Sequence, residues 1–365
     1  MYLRRLIKTE LTAVVRDMYG HETPDVEITL PRDPSHGDYA TNFPLKAARG
    51  LRKRPMDLAA DLAARIGQNP KFDRAECSAP GFVNLFLSPE FLARMVERLS
   101  AESEFFSHYR VSPALSINVE FVSANPTGPL TVGHGRNACL GDSISRILAA
   151  VGHRVTREYY FNNAGRQMKI LGESLRARYL EAAGRTCEFP EEGYVGEYIS
   201  EIARGLLRAE GPGRADADIS FFREEAEKNI FAMIRQSLDK LGVRFDIYFN
   251  EDQLYKNGSV AEVLGKLRDR DLTYEADGAV WFRGEARKLP KDPVLVKKSG
   301  EPTYRLPDVA YHIDKLSRTF DQMIDILGAD HIDEHREVLA ILQSLDYPTD
   351  HIRGIIYQLV TLVRD

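Results

Sequence analysis

With 365 residues, 43% of them apolar and 28% charged, the chain is too long for one ordinary core and too balanced for a collagenous, low-complexity or disordered protein. Its apolar runs fall short of the roughly 20 residues that cross a bilayer, and the opening MYLRRLIKTE is charged where a secretory signal would be apolar. The net charge of −5, from 49 basic and 54 acidic residues, excludes a small basic nucleic-acid module but leaves room for a local basic face.

Residues 1 to about 110 read as a separate α+β module. Leu3, Leu6, Ile7, Leu11, Val14 and Val15 repeat at helical spacing and predict a helix that stops near Gly20. A short alternating strand is predicted over Val26–Leu30, then a loop dense in turn formers from Pro31 to Tyr39. Two helical stretches, a strand over Phe82–Leu87 and a helix from about Glu90 complete the module. The run Arg49-Gly50-Leu51-Arg52-Lys53-Arg54 is basic and reads as a solvated face, with a phosphate contact as the alternative.

The pattern changes at Ser116. Ile117 to Val122 is an apolar-rich strand, followed by a Gly/Pro loop and a helix with Leu140, Ile144, Ile147 and Leu148 on one face. Strand, phosphate-sized loop and helix are how a doubly wound α/β nucleotide-binding domain begins. Residues 165 to about 245 read as largely helical, too long for a simple crossover, and so as an insertion. Short strands return at Ala279–Phe282, Pro293–Val296 and Ile324–Leu327. Cys77, Cys139 and Cys187 are widely spaced and form no CxxC pair, which argues against a disulfide scaffold or a Cys-rich zinc site and fits a reducing cytoplasm.

The most informative stretch is VEFVSANPTGPLTVGHGR, residues 119–136. A buried strand ends in a loop carrying Gly128, Gly133 and Gly135, where a ligand can approach the backbone with no Cβ in the way, and a helix is predicted to start just after His134. That helix start offers unpaired N–H groups and the positive end of its dipole to a phosphate, and His134 can donate to a phosphate oxygen. A Gly/Pro turn with a capping histidine is the plainer reading of the loop taken alone.

This loop resembles the HxGH signature that cradles ATP in class I aminoacyl-tRNA synthetases, and its extended form resembles that of arginyl-tRNA synthetases. GDYATNFPLKAA (37–48), APGFVNLFLS (79–88), REYYFNNAGRQM (157–168), LGVRFDIYF (241–249), DGAVWF (277–282), DVAYH (308–312) and GADH (328–331) are similar to segments of that family in the same order. The resemblance implies a Rossmann-like doubly wound parallel sheet, the class I catalytic domain, over 111–365, with a helical insertion at about 165–245. The module 1–110 would be the tRNA-contacting part. Its implied activity is the ATP-dependent attachment of L-arginine to tRNA(Arg) through arginyl-adenylate, with Mg²⁺ accompanying ATP. His134, Gly133 and Thr131 are the implied catalytic signature. Pro126, Thr127, Gly128, Gly133, His134, Gly135 and Asn137 would bind ATP. Glu120, Asn125, Tyr304, Asp308, Asp330 and His331 would bind arginine, Asp308 pairing with the guanidinium while Tyr304 packs on it. A cytoplasmic monomer that uses no membrane is expected.

Two departures bear on this reading. Thr131 stands where the motif usually has its first histidine; a hydroxyl can bond a phosphate but carries no positive charge. The chain ends at Asp365, ahead of the family's KMSK loop and anticodon-binding domain, so it is expected to lack full aminoacylation activity. Lys297-Lys298-Ser299-Gly300 resembles KMSK in composition but precedes DVAYH, and reads as a hairpin turn. Three other readings compete: a non-catalytic RNA-binding or regulatory paralogue on the same fold, a different adenylate-forming enzyme with an HxGH loop, and a zinc peptidase from the HxxEH pattern His331-Ile332-Asp333-Glu334-His335.

Overall fold

A computed structural model describes residues 2–20, 24–101, 110–287, 289–358 and 360. The chain folds as two units, Met1–Tyr109 and Arg110–Asp365.

In the first unit, α1 (Tyr2–Tyr19) buries Ile7, Leu11 and Val15, one apolar face at four-residue spacing. Its sheet is antiparallel, with β3 (Phe82–Leu87) between β1 (Tyr39–Thr41) and β2 (Phe72–Ser78). Helices α2 (Phe43–Leu51), α3 (Pro55–Ile66) and α4 (Pro89–Ala101) complete the unit. The strand predicted over Val26–Leu30 does not form. Val26 and Ile28 are buried, but the segment's pairing is the single bridge from Thr29 to Ala40. The sequence reading also misses β2, an edge strand whose exposed face is charged; Arg74 lies 3.6 Å over the Phe86 ring and pairs with Asp73 and Glu76. In the basic run, Arg54 pairs with Asp57 at 2.8 Å and Lys53 with Asp61 at 3.3 Å, so two of its four cations are matched by acids on α3.

The second unit is built on a five-stranded parallel sheet in the order β11-β10-β4-β5-β6. The strands are β4 (Ser116–Glu120), β5 (Arg154–Phe161), β6 (Ile247–Asn250), β10 (Gln322–Gly328) and β11 (Ile352–Tyr357). The chain starts in the middle with β4, winds outward through β5 and β6, then returns to the other side of β4 through β10 and β11. This is the doubly wound arrangement, with its switch point between β4 and β10.

Alternation along the strands sends side chains into two cores. Ile117, Val119, Tyr159, Phe161, Ile324 and Ile326 face one cluster, packed by α6 (Arg166–Ala182), α7 (Glu197–Glu210) and α8 (Ile219–Lys240) of the insertion. Tyr160, Phe249, Met323 and Ile352 face the other, packed by α10 (Ser259–Asp269), α11 (Arg305–Ser317) and α12 (Ile332–Ser344). Between β6 and β10 lie α9 (Asp252–Lys256), α10 and a small antiparallel sheet of β7 (Thr273–Ala276), β8 (Ala279–Phe282) and β9 (Val294–Val296).

The second face is not purely apolar. Asp325, Glu120 and Glu158 sit directly opposite one another on β10, β4 and β5, and all three are buried. Three carboxylates side by side would repel, so the sheet closes only because α11 supplies cations. Lys315, wholly buried, donates to Glu120 Oε2 at 2.7 Å and to Asp325 Oδ1 at 2.6 Å. Arg318, just past the helix end, makes two parallel 2.9 Å bonds to Glu158. His312 completes the row, its Nε2 lying 3.1 Å from Asp325 Oδ2.

Helix α5 (Val132–Ala150) begins at Val132, two residues before His134, so Gly133, His134 and Gly135 belong to its first turn and not to the loop. Its most buried face is Asn137, Ala138, Gly141 and Ser145; Leu140, Ile144 and Leu148 are half-buried and Ile147 is exposed. Gly141 explains the shift. A Cβ there would lie 2.1 Å from Phe121 Cγ, so only glycine lets α5 approach the end of β4 this closely.

Two stability outcomes follow. Gly141→Ala is expected to destabilise the second unit by about 1–3 kcal/mol through overpacking, read from its urea midpoint. Lys315→Met, which keeps the volume but strips the ammonium from two buried carboxylates, is expected to cost about 3–5 kcal/mol in the same measurement.

Candidate active site

A cavity of about 430 Å³ opens at the carboxyl ends of β4 and β10, at the switch point. Of the residues singled out in the sequence, Glu120 and Asn125 line it from the end of β4, and Thr131, Gly133, His134 and Asn137 line it from α5. Tyr304 and Asp308 line it from the start of α11, Asp330 and His331 from the turn after β10. Pro126, Thr127, Gly128 and Gly135 are not among the lining residues. Thr127 and Gly128 turn toward α7 instead: the Tyr198 hydroxyl donates to the Thr127 carbonyl at 2.5 Å and lies 3.2 Å from where a Cβ on Gly128 would be.

The backbone between β4 and α5 is strained and held from several sides. Val122 and Ser123 adopt φ of 66° and 42°, a conformation costly for a β-branched residue. The Val122 N–H donates to Asn137 Oδ1 at 3.1 Å, and Asn137 Nδ2 donates to the Ile326 carbonyl at 3.1 Å. Asn137 thus ties the ends of β4 and β10 together as well as lining the cavity. Ser123 Oγ donates to Glu120 Oε1 at 3.0 Å, which with Lys315 on Oε2 fixes both oxygens of that carboxylate.

Two carboxyl groups in the wall stand apart from this network. Burial pushes Asp308 up to about 7, with the nearby Glu120 charge adding to the shift and His312 and Lys315 opposing it. Glu251, at the start of α9, is likewise raised by burial to about 7; its hydrogen bond from the Tyr160 hydroxyl at 2.8 Å works against the shift and the Asp308 charge adds to it. Glu251 was missed from sequence because it sits at a strand end with no motif around it. Tyr304 is 57% exposed at the mouth of the cavity. It and Glu251 also line a second cavity of about 530 Å³, whose wall carries Arg166, Lys169, Arg223, Lys256 and Lys297.

His134 occupies the third position of α5, and burial lowers its pKa, which keeps the ring neutral near pH 7. His331 lies 2.8 Å from Glu334 and 3.6 Å from Asp330; the Glu334 hydrogen bond raises its pKa. His335 turns inward, its Nδ1 3.9 Å from Asp325. The HxxEH pair is therefore divided. Among the described residues, the ligand-type atoms that converge within 4.8 Å are those of His312, Asp325 and His335. Lys315 already places a cation on that aspartate. Lys297–Gly300 forms an exposed turn closed by a 2.9 Å bond from the Gly300 N–H to the Lys297 carbonyl. No described helix is long and apolar enough to cross a membrane.

The start of α5 suits a phosphate chain. Nothing lies within 4 Å of the Cβ position of Gly135, and only Thr131 Oγ1, at 3.6 Å, lies near that of Gly133. The helix terminus is open to a ligand that meets backbone N–H groups.

Comparison with known proteins places these features. Residues 2–87 match the arginyl tRNA synthetase N terminal domain, and residues 107–357 match tRNA synthetases class I (R), catalytic domain. The arginine–tRNA ligase of Desulfotalea psychrophila is 45% identical over 340 residues, covering 93% of this chain and 62% of that protein. That of Pelodictyon phaeoclathratiforme is 45% identical over 352 residues, 94% of this chain and 64% of the relative. The chain thus spans a little under two thirds of the length of these curated relatives. Among solved structures, the Thermus thermophilus arginyl-tRNA synthetase shares the fold, with a TM-score of 0.59 at 21% identity over 98% of this chain and 66% of that one. A parallel sheet with its cavity at the switch point, preceded by a module that matches on its own, leads to one assignment: the chain belongs to the arginyl-tRNA synthetase family of class I synthetases.

Proposed function

We propose that the cavity binds L-arginine and ATP and forms arginyl-adenylate, for transfer of the arginyl group to tRNA(Arg). The observation that carries this reading is the pair of carboxyl groups, Asp308 and Glu251, raised to about 7 in the wall of one cavity. Among the described residues neither is held in an ion pair. A guanidinium is planar, charged at every accessible pH, and carries donors on two edges, so one ligand group can satisfy both acids. Tyr304 lies at the mouth, where it can cover the bound side chain. Glu120, fixed by Lys315 and Ser123, and Asn125 would hold the amino-acid end beside the α5 N-terminus.

In the reaction an oxygen of the arginine carboxylate forms a bond to the α-phosphorus of ATP, and the bond to pyrophosphate breaks in line. The chain's part is to orient the two reactants and to meet developing phosphate charge with the α5 N–H groups and His134. Mg²⁺, arriving on the nucleotide, supplies further neutralising charge when bound. In the second step the tRNA's terminal ribose hydroxyl takes the arginyl group. The second cavity adjoins the first, sharing Glu251 and Tyr304 with it, and its wall mixes five cations with the acids Glu227, Glu251, Asp252 and Glu301. In the N-terminal module, exposed Arg49 and Arg52 are the cations of the basic run offered to the tRNA backbone.

Calorimetric titration with arginine, lysine and citrulline tests the pocket. Arginine alone should bind, and Asp308→Asn should abolish the heat; citrulline binding as tightly as arginine would defeat the reading. Arginine affinity should also rise between pH 6 and pH 8, about tenfold for each carboxyl that must give up its proton. Stability should move oppositely. Between the unfolded value of 3.8 and the folded value of about 7, the unfolded chain has released the Asp308 proton while the folded chain keeps it, so stability falls as pH rises through that window. Asp308→Asn removes this loss, and its melting temperature should exceed the parent's at pH 8 by more than at pH 4.

A further inference from the structure

We propose that Thr131 is a positioning residue that acts through His134, holding the imidazole with Nδ1 turned back onto the helix cap and Nε2–H left for the ligand. The argument rests on which atoms can donate. The backbone N–H of Thr131 points at His134 Nδ1 from 3.0 Å, and an amide N–H only donates, so Nδ1 must be the bare ring nitrogen. Thr131 Oγ1 lies 3.1 Å from the same Nδ1 and accepts from the His134 N–H at 3.5 Å, closing a reciprocal cap between the N-cap residue and the third position of the helix. In a neutral imidazole with Nδ1 bare, the proton sits on Nε2. Protonating Nδ1 would set two N–H groups against each other, so the cap also opposes the charged ring. Burial favours the same neutral form.

Thr131 stands where the related motif usually carries a histidine. Here the threonine hydroxyl is engaged with its neighbour three residues on. Gly133 leaves the space between them free of any side chain: its Cβ position meets only Thr131 Oγ1. The consequence is a single, oriented N–H donor on the wall of the cavity, fixed before any ligand arrives. The value of that donor to ATP rests on the function proposed above; the fixing of the tautomer does not.

The experiment therefore has two arms on the 365-residue chain. Long-range ¹H–¹⁵N spectra read the His134 ring in the parent, Thr131→Val and Thr131→Ser, with His134→Gln identifying its signals. Calorimetric titration with Mg-ATP follows the same proteins and the Thr131→Val/His134→Gln double variant. The parent should show Nδ1 as the bare nitrogen. Thr131→Val keeps the backbone N–H on Nδ1 but loses the hydroxyl from it and from the His134 N–H, so the ring nitrogen shifts should move toward those of a freely rotating imidazole and ATP binding should weaken about tenfold, and Thr131→Ser should restore both. In the His134→Gln background Thr131→Val should add nothing. Weakened ATP binding with an unchanged ring spectrum, or a full additional loss in the double variant, would show the hydroxyl acting on the nucleotide directly and overturn the proposal. So would a ring and an ATP affinity both unmoved by Thr131→Val. A parent chain that binds no ATP defeats the functional reading alone, and the spectra still decide what Thr131 does.

Discussion

Everything at the switch point depends on a buried ammonium. Asp325, Glu120 and Glu158 face one another across three neighbouring strands, and without Lys315 and Arg318 that row could not be desolvated. The arrangement also determines what is left over. Lys315 is spent on Glu120 and Asp325, His312 on Asp325, and Arg318 on Glu158, so Asp308 and Glu251, two of the acids lining the cavity, have no ion pair among the described residues. Each is left to keep its proton to about pH 7 or to wait for a cationic ligand. The fold matches its interior charges and leaves the surplus at the wall, which is how a stable scaffold carries an unstable binding site.

How much of this was legible in the sequence differs by element. The strands β4 and β10 could be found because each carries buried apolar residues, whereas β5 was not picked out as a strand. Their polar face could not. Ile117 to Val122 reads as a buried strand, but nothing local says that Glu120, on its polar face, meets a cation from a helix almost two hundred residues later. His312 lies within the DVAYH segment that helped identify the family, yet its partner Asp325 is on another strand, so the pairing is visible only in three dimensions. Glu251 was invisible for the same reason. The start of α5 was misplaced by three residues because its cap uses a histidine at the third position, where the usual signal is Glu or Gln.

The family resemblance and the residue-by-residue reading also part company usefully at the loop. Sequence similarity treats residues 126–128 as nucleotide contacts, but two of the three are engaged from behind by the insertion, through Tyr198 on Thr127 and Gly128. These contacts hold the loop backbone in place. A turn that places Val122 and Ser123 at positive φ would relax if left alone. Asn137 holds its start, Glu120 and Tyr160 hold Ser123, and Tyr198 holds its far side. Over-determination of this kind keeps the α5 terminus in place at the expense of local strain.

That strain has a chemical purpose. A helix terminus meets a phosphate best when its N–H groups are already aimed, because a donor that must reorganise returns part of its stabilisation as reorganisation energy. The latch from Tyr198, the tie through Asn137 and the cap at Thr131 act on three successive parts of one segment, residues 122 to 134, and together remove its freedom to collapse into the empty cavity. Helix α7 thus supports the cavity wall through Thr127 and Gly128, which do not line it. Loss of the Tyr198 hydroxyl would loosen the loop while leaving every ligand-facing atom in the chain, which separates the two ways a residue can matter here: by touching the substrate, or by denying the residues that touch it any other place to be.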